Sequence, residues 1–498
     1  MRLATHYREE VSVFVGLGMH SEGAAALIVL GDSMQQLSAY RQFVESKQRR
    51  HIAAGFDVDD TDINPMLFDW QRLIVKWALR MGRAALFEEC GMGKTLQQVE
   101  WAKHVSAHTG KRVLLLSPLA VAHQTVTEAE KIGVFVKYCR SQAEADESRA
   151  DIIITNYEMV EAFDASSFVG VVLDESSILK SFSGATRNML IGMFAKTPYR
   201  LCCTATPAPN DHMELGNHAE FLGVMKRTEM LAMYFKHDGG DTATWRLKRH
   251  GEHDFWQWVT SWAVCVSKPS DIGYSDAGFD LPPLELHDHV VEVDHTRAWD
   301  AGQLFLTGTV SATGMWKEKK VTTIERCAEA AKLANESDEP CIIWCDTNDE
   351  ADELKRLIPD AVEVRGSDSI REKERKLTAF SDGSVAKIIT KSEIAGYGLN
   401  WQHCNRQVFV GISYSFEKTY QALRRSWRFG QTKPVHAHLV YAESEGNIRS
   451  ALIEKQRQHR EMQVKMSEAM KLSGLTRTVS HKQAIYAPSK RATLPAFI

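Results

Sequence analysis

The stretch Phe87 to Gln97 reads F-E-E-C-G-M-G-K-T-L-Q. An apolar run, Ala84 to Phe87, leads into a loop holding Gly91 and Gly93, and Lys94-Thr95 then opens an amphipathic segment. A strand, a glycine loop and a helix in that order point backbone N–H groups and a helix N-terminus at a phosphate. Lys94 adds a mobile positive charge for the β- and γ-phosphates, and the Thr95 hydroxyl is suited to ligate Mg²⁺. The first glycine usual in such a loop is replaced by Glu88, and a bare G-x-G-K-T also arises by chance. A second chemical signal is V-V-L-D-E-S-S, Val171 to Ser177. Two acids at the carboxyl end of a strand stand where α/β sheets place their ligands. Asp174 would hold Mg²⁺ through water and Glu175 would polarise an attacking water, the positioning that phosphoryl transfer needs. An Asp/Ser-rich turn after any strand is the bland alternative. The third signal is Q-A-L-R-R-S-W-R-F-G-Q, Gln421 to Gln431. Arg425 and Arg428 are spaced i, i+3, so a helix would put them on one face. Planar guanidinium groups can grip a transition-state phosphate, a contribution on the order of 10³ to 10⁵ in rate. A solvated basic helix competes with that reading.

The elements that must position these residues are legible as two series of short β-branched runs separated by helical stretches. The first runs from Ala84 through Val113–Leu116, Val134–Tyr138, Asp151–Thr155 and Val169–Leu173 to Tyr199–Cys203. The second holds Cys341–Trp344, Ala361–Val364, Lys387–Thr390, Gln407–Val410 and His436–Val440. Strands alternating with helices predict parallel sheets covered on both faces. The fold class is therefore α/β, with two tandem lobes of similar plan.

With 498 residues the chain exceeds one core. The expected division is an N-terminal extension at 1–63, a first lobe at 64–222, an insertion and linker at 223–285, a second lobe at 286–472 and a basic tail at 473–498. A net charge of -4 gives no global basic footprint, so a nucleic-acid contact would come from a local groove. The apolar stretches are too short to span a bilayer, and Glu9 and Glu10 argue against a signal peptide. The nine cysteines form no paired framework, which suits a reducing cytoplasm, bacterial or that of a phage-infected cell. Cys341 and Cys345 lie within an apolar strand and make a poor zinc signal.

The motifs together resemble superfamily 2 helicases, most closely the Swi/Snf-type branch of DNA translocases. Asp69-Trp70-Gln71 is similar to the glutamine motif, in which Gln71 would read adenine. Glu88 to Thr95 is similar to the branch's D-E-x-G-x-G-K-T, which accounts for the missing glycine. Ser117-Pro118-Leu119 and Ile154-Thr155-Asn156-Tyr157 resemble nucleic-acid-contacting motifs, with Pro118 and Asn156 as candidates. Thr204-Ala205-Thr206-Pro207 resembles the motif that couples hydrolysis to lobe movement. Ala395 to Asn400, with Gly398, is similar to the A-G-x-G-L-N loop, and Gln421 to Gln431 matches the branch's Q-A-x-x-R-x-x-R-x-G-Q. Leu281-Pro282-Pro283 sits where the branch has L-P-P. The resemblance runs from Asn64 to Leu472. It implies two RecA-like lobes, ATP and Mg²⁺ as ligands, and duplex DNA as partner. Lys94, Glu175, Arg425 and Arg428 would be catalytic. Gln71, Gly91, Gly93, Lys94, Thr95, Gly398 and Gln421 would bind nucleotide, and Thr95 and Asp174 would hold the metal. Thr204, Ala205 and Thr206 would couple. Ser177 replaces a family histidine, and Arg424 stands where glycine is usual. The compact length suggests phage or prophage helicases.

Alternatives remain open at this level: a strand-separating DNA or RNA helicase, an ATP-gated clamp, or the motor half of a nuclease or repair complex. Thr244 to His250 clusters Arg246, Lys248 and Arg249 beside Trp245, a candidate for phosphate contact. Asp57 to Asp62 lacks the glycine and distal Glu of a calcium loop. Phe255, Trp258, Trp262 and Val266 at helical spacing predict packing rather than base stacking. The segment Ile448 to Met470 reads as a helix with a solvated basic face, or as a brace for the second lobe.

Overall fold

The computed structural model describes residues 53–181, 184–238, 241–292, 319–395 and 400–472. The predicted extension (except its last residues), the basic tail and Gly398 lie outside them.

Among the described residues, the first lobe is built on β1 (Arg83–Glu88), β2 (Arg112–Ser117), β3 (Val136–Tyr138), β4 (Ile152–Asn156), β5 (Phe168–Asp174) and β6 (Tyr199–Thr204). A hairpin, β7 (Phe235–Asp238) and β8 (Asp241–Leu247), follows, and then β9 (Ala263–Val266). The sheet order is β3-β4-β2-β5-β6-β1-β9, and all its pairs are parallel. The central strands are buried along nearly their whole length. Helices cover both faces of such a sheet, so its strands are continuous apolar runs rather than alternating ones.

The second lobe has β10 (Leu284–Val291), β11 (Cys341–Cys345), β12 (Val362–Glu363), β13 (Lys387–Lys391), β14 (Arg406–Val410) and β15 (Val435–Ala442), in the order β10-β15-β14-β11-β13-β12 and again parallel. Its sheet separates two apolar cores, one around Trp344, Trp401 and Phe409 and the other around Cys327, Ile343 and Val408.

Two features go beyond the sequence reading. Ala263–Val266, inside the segment expected as insertion and linker, extends the first sheet by pairing with β1. Phe255, Trp258 and Trp262 are buried as their spacing predicts, but the helix is Glu252–Val259, so Trp262 follows it and Val266 ends the strand. The second feature is the helix Gly446–Leu472, whose 27 residues span about 40 Å. Its first turns put Ile448 and Leu452 into the core of the second lobe. Its last turns put Met462, Met466, Ala469 and Met470 into the core of the first. The helix is a strut between lobes, and the apolar stripe that makes it one is interleaved with charge.

Candidate active site

The strand order creates the site. β5, β6 and β1 are adjacent, and their registers pair Asp174 with Cys203 and Phe87 with Thr204. Three carboxyl-end loops therefore meet: the glycine loop after β1, the acidic turn after β5 and the Thr204–Thr206 turn after β6.

In the glycine loop, Gly91 (φ 89°) and Gly93 (φ 77°) both take left-handed backbone, which side-chain-bearing residues avoid. A side chain would also crowd its neighbours. A Cβ on Gly93 would lie 2.4 Å from the Gln71 amide nitrogen, and one on Gly91 would lie 3.2 Å from the backbone nitrogen of Phe429. Gln71 is buried; its Nε2 donates to the Met92 carbonyl at 2.8 Å, and its Oε1 accepts from the Phe68 N–H at 2.9 Å. The Lys94 ammonium donates to the carbonyls of Glu88 (2.7 Å) and Glu89 (2.9 Å). Lys94 and Thr95 are the first residues of the helix Lys94–Thr109. Glu88 takes the place of the usual glycine and is fully buried. Burial pushes its carboxyl up to about 7, against the nearby Lys94 charge and a 2.8 Å bond from Gln97.

In the acidic turn, Asp174 Oδ1 accepts from Gln98 Nε2 at 2.7 Å, and its backbone carbonyl accepts from the Tyr157 hydroxyl at 2.6 Å. Glu175 alone among the described non-glycine residues has positive φ, 53°, a strain that marks functional turns. Burial and then the Asp174 charge raise its carboxyl to about 7, while Lys94 and Arg425 oppose the rise. Burial also raises Asp174. Thr204 Oγ1 and Gln421 Nε2 each stand 3.5 Å from Glu175 Oε2. Thr204 Oγ1 also accepts from the Thr206 N–H at 3.1 Å, and Ala205 is buried between them. Ser177 is buried at the position of the family histidine. A different imidazole, His218, meets the neighbouring Ser176 hydroxyl at 3.1 Å. Burial lowers it to about 4, so it is neutral.

The second lobe closes the site. The helix Phe416–Leu423 ends before the arginines, so Arg425 and Arg428 lie on the following turn and not on a helical face. Backbone bonds continue through the turn, with the Trp427 N–H donating to the Leu423 carbonyl at 3.1 Å and the Arg425 N–H to the Ala422 carbonyl at 3.1 Å, and further bonds brace it. Gln407 Nε2 donates to the Leu423 carbonyl (3.0 Å) and Gln431 Nε2 to the Gln402 carbonyl (2.9 Å), while the Trp401 backbone N–H donates to the Arg425 carbonyl (3.0 Å). Arg425 is buried and near enough to Glu175 to stabilise its charge. Arg428 is close to Cys90 of the glycine loop.

The tightest junction is one that sequence reasoning did not assign. Glu89 is buried and forms an ion pair with Arg424 at 2.9 Å, and the same guanidinium donates to the Cys90 carbonyl at 2.8 Å. The Tyr420 hydroxyl donates to Glu89 Oε2, and Gln463 Nε2, from the strut helix, donates to Oε1 at 2.6 Å. Burial alone would raise Glu89, but Arg424, His459 and Tyr420 outweigh it and hold the carboxyl well below its usual range. The departure at Arg424 was the available signal; its partner, in the other lobe and far off along the chain, was not.

Residues 70–237 match the SNF2-related domain, and residues 319–430 match the helicase conserved C-terminal domain. The chain belongs to the Swi/Snf-type branch of superfamily 2 helicases. Its two parallel-sheet units are the RecA-like lobes of that family. Helicase SWR1 of Cryptococcus neoformans is 29% identical over 163 residues, 29% of this chain and 13% of that protein. Helicase domino of Drosophila melanogaster is 27% identical over 177 residues, 31% of this chain and 6% of that protein. The chromatin-remodeling ATPase INO80 of the same fly is 26% identical over 153 residues, 26% of this chain and 9% of that protein. The match thus spans only a small part of each relative's length. The SWI2/SNF2 ATPase core of Sulfolobus solfataricus, solved in complex with dsDNA, aligns over 84% of this chain and 97% of its own, at 17% identity and a TM-score of 0.40. The curated relatives named are eukaryotic, so the expected phage-like kinship finds no support among them. No helix among the described residues of this helicase is long and apolar enough to cross a membrane.

The predicted nucleic-acid residues are dispersed. Pro118 caps the helix Leu119–Lys131. Asn156 is buried, accepting from the Tyr138 hydroxyl at 3.1 Å and donating to Glu158. In the hairpin, Arg246 and Arg249 are exposed, but Lys248 donates to the Ala232 and Met233 carbonyls, each at 2.9 Å. Carbonyls at a helix C-terminus attract a cation, so Lys248 caps the helix Arg227–Tyr234. Trp245 lies against His237, centroids 3.6 Å apart and planes tilted by 39°, instead of standing free as a wedge.

Proposed function

We propose that this chain is an ATP-dependent motor that moves along duplex DNA. The observation that carries the reading is the junction across the cleft. The arginine turn of the second lobe rests on the glycine loop and acidic turn of the first, so a complete hydrolytic site exists only when the lobes meet.

The residues fit Mg²⁺ and ATP. Lys94 and Thr95 open the helix that follows the left-handed glycines, the backbone setting that suits a phosphate, and Thr95 and Asp174 offer the hard oxygen donors that Mg²⁺ prefers. Mg²⁺ bound there would neutralise charge on the β- and γ-phosphates. Gln71 sits beside the loop to receive the base, with Phe279 at its side between Trp70 (5.6 Å) and Phe429 (4.8 Å). Lys94 binds phosphate. Glu175 orients water and takes its proton, for which a carboxyl near neutrality is well matched. Gln421 positions Glu175 from the opposite lobe. Arg425 and Arg428 stabilise the developing phosphate charge. Thr204 touches Glu175, and Ala205 and Thr206, the latter bonded to the Thr204 hydroxyl, can relay its state to the lobes. Gly398 belongs to this set by its motif. The names of the relatives, helicases and a chromatin-remodeling ATPase, support this reading, and Pro118, Asn156, Arg246 and Arg249 are proposed to face the nucleic acid.

A triplex-displacement assay tests the motor against a strand-separating helicase on the same fold. ATP-dependent release of the third strand, with little opening of a forked duplex, is the expected result. Fork opening without triplex release would replace this reading by the helicase one.

A further inference from the structure

The edge of the second sheet carries an independent constellation. β10 reads L-E-L-H-D-H-V-V and β15 reads V-H-A-H-L-V-Y-A. Side chains alternate faces along a strand. Leu284 and Leu286 therefore turn toward the Trp344 core, as do Ala437 and Leu439, and Glu285, His287 and His289 share the other face. The parallel register sets Glu285 beside His436 and His287 beside His438, and so four imidazoles and a carboxylate collect on one patch.

Three of them converge. Among the described residues, one ligand atom each from Glu285, His287 and His436 lies within 4.8 Å of the other two. His436 Nδ1 is 3.2 Å from Glu285 Oε2, His287 Nε2 is 3.3 Å from His436 Nδ1, and His287 Nε2 is 3.8 Å from Glu285 Oε2. A tetrahedral ion with bonds of about 2.0–2.1 Å separates its ligands by about 3.3 Å. Two of the three edges match that length, and the third needs a small rotation of a half-exposed carboxylate. The side chains are 49%, 39% and 36% exposed for Glu285, His287 and His436, which leaves an entry path and room for a fourth ligand. A second imidazole pair, His289 and His438, stands 3.0 Å apart one rung along, and His438 stacks on His287 at 4.9 Å. The nearby cation, Arg406, is turned away: its guanidinium donates to the Leu333 carbonyl at 2.9 Å and pairs with Glu336 at 3.6 Å.

We infer that Glu285, His287 and His436 form a binding site for a divalent transition metal, zinc by donor set and spacing. Two imidazoles and one carboxylate suit zinc and exclude a preference for Mg²⁺. The site joins an edge strand to its single neighbour, so a bound ion clips β10 to β15 and stabilises this side of the lobe. Binding releases protons and weakens in acid, because protons compete for the same nitrogens.

The test uses tag-free full-length protein, stripped with chelator and desalted. Zn²⁺ is titrated by calorimetry, and Co²⁺ by visible absorption, which is strong when the ion is four-coordinate. One equivalent bound, with a four-coordinate cobalt spectrum and no competition by millimolar Mg²⁺, is expected. His287→Ala and His436→Ala should each weaken binding at least tenfold and remove the rise in melting temperature that Zn²⁺ gives the wild type. His289→Ala should keep the equivalent. Glu285→Gln is the variant of least disturbance: it keeps size and hydrogen bonding but should lose affinity and the four-coordinate spectrum. Wild type that binds no stoichiometric ion, or binding unchanged in Glu285→Gln and the His287→Ala/His436→Ala double variant, would overturn the site.

Discussion

The two lobes share a plan but face the cleft with opposite charge. The first presents two buried carboxyls, Glu88 and Asp174, and a half-buried one, Glu175, all raised by loss of water around them. The second presents guanidinium groups on a turn just past a helix end, braced by Gln407 and Gln431. The lobes meet through a fourth acid, Glu89, whose charge is kept because Arg424 answers it. Adjacent residues of one loop thus have opposite fates: Glu88 is answered only from within its own lobe, and Glu89 is answered from across the cleft. Each lobe alone is electrostatically incomplete, and this is what makes closure consequential.

The largest effect is expected on the cationic side. Arg425→Ala or Arg428→Ala should lower turnover by about 10³- to 10⁵-fold while ATP affinity changes far less. Steady-state kinetics with nucleotide binding measured in parallel decides it; a stable double variant that hydrolyses normally would reduce the arginine turn to packing.

On the acidic side, Glu175→Gln should lower turnover by about 10²- to 10⁴-fold with nucleotide binding kept, whereas Lys94→Ala should lose binding. The Glu175 carboxyl, raised to about 7, is protonated below neutrality. The DNA-stimulated rate should therefore rise as pH passes upward through about 7, and that limb should vanish in Glu175→Gln. The same shift has a stability sign. The folded state holds the proton that the unfolded state releases above 4.5, so Glu175 costs stability increasingly between about 4.5 and 7. A flat acidic limb would remove Glu175 as the base.

The third effect is on the junction itself. Arg424→Ala leaves Glu89 buried without its cation, a loss of about 3–5 kcal/mol for a broken buried pair. It should appear as lobe separation in small-angle scattering, and Arg424→Met with Glu89→Gln should recover part of it. Because Glu89 is held below the usual carboxylate range, its contribution is present at neutral pH and disappears as acid protonates it. Unchanged scattering in Arg424→Ala would show that the strut helix alone holds the lobes.

The candidate site residues stand out in the sequence because phosphate chemistry asks for such residues in short strings: Gly91 to Thr95, Asp174-Glu175, Arg425 and Arg428. The predicted strands were legible because buried parallel strands are short apolar runs. What stayed hidden depends on residues remote in the chain. β9 is only four residues, A-V-C-V, in a segment that otherwise reads as a linker. The strut helix looks solvated because its apolar stripe is sparse and its two ends serve different cores. Glu89 meets Gln463 across 374 positions. His287 and His436 are 149 apart, so neither H-x-H string reports the other.

The smallest effect belongs to the hairpin. Lys248 is spent on a helix end, so Arg246→Ala with Arg249→Ala should flatten the salt dependence of DNA affinity by roughly 0.9 in log–log slope for each phosphate left without its cation. ATPase activity at saturating DNA should persist. Identical slopes would return both arginines to the solvated surface.

The most direct test of the central claim is the ATPase rate of the same preparation with duplex DNA, single-stranded DNA, RNA and no nucleic acid, side by side. A motor whose site is completed by lobe closure on duplex DNA should show its largest stimulation there, and Arg425→Ala should abolish the stimulation. A rate that no nucleic acid changes, or one that RNA alone stimulates, would contradict it.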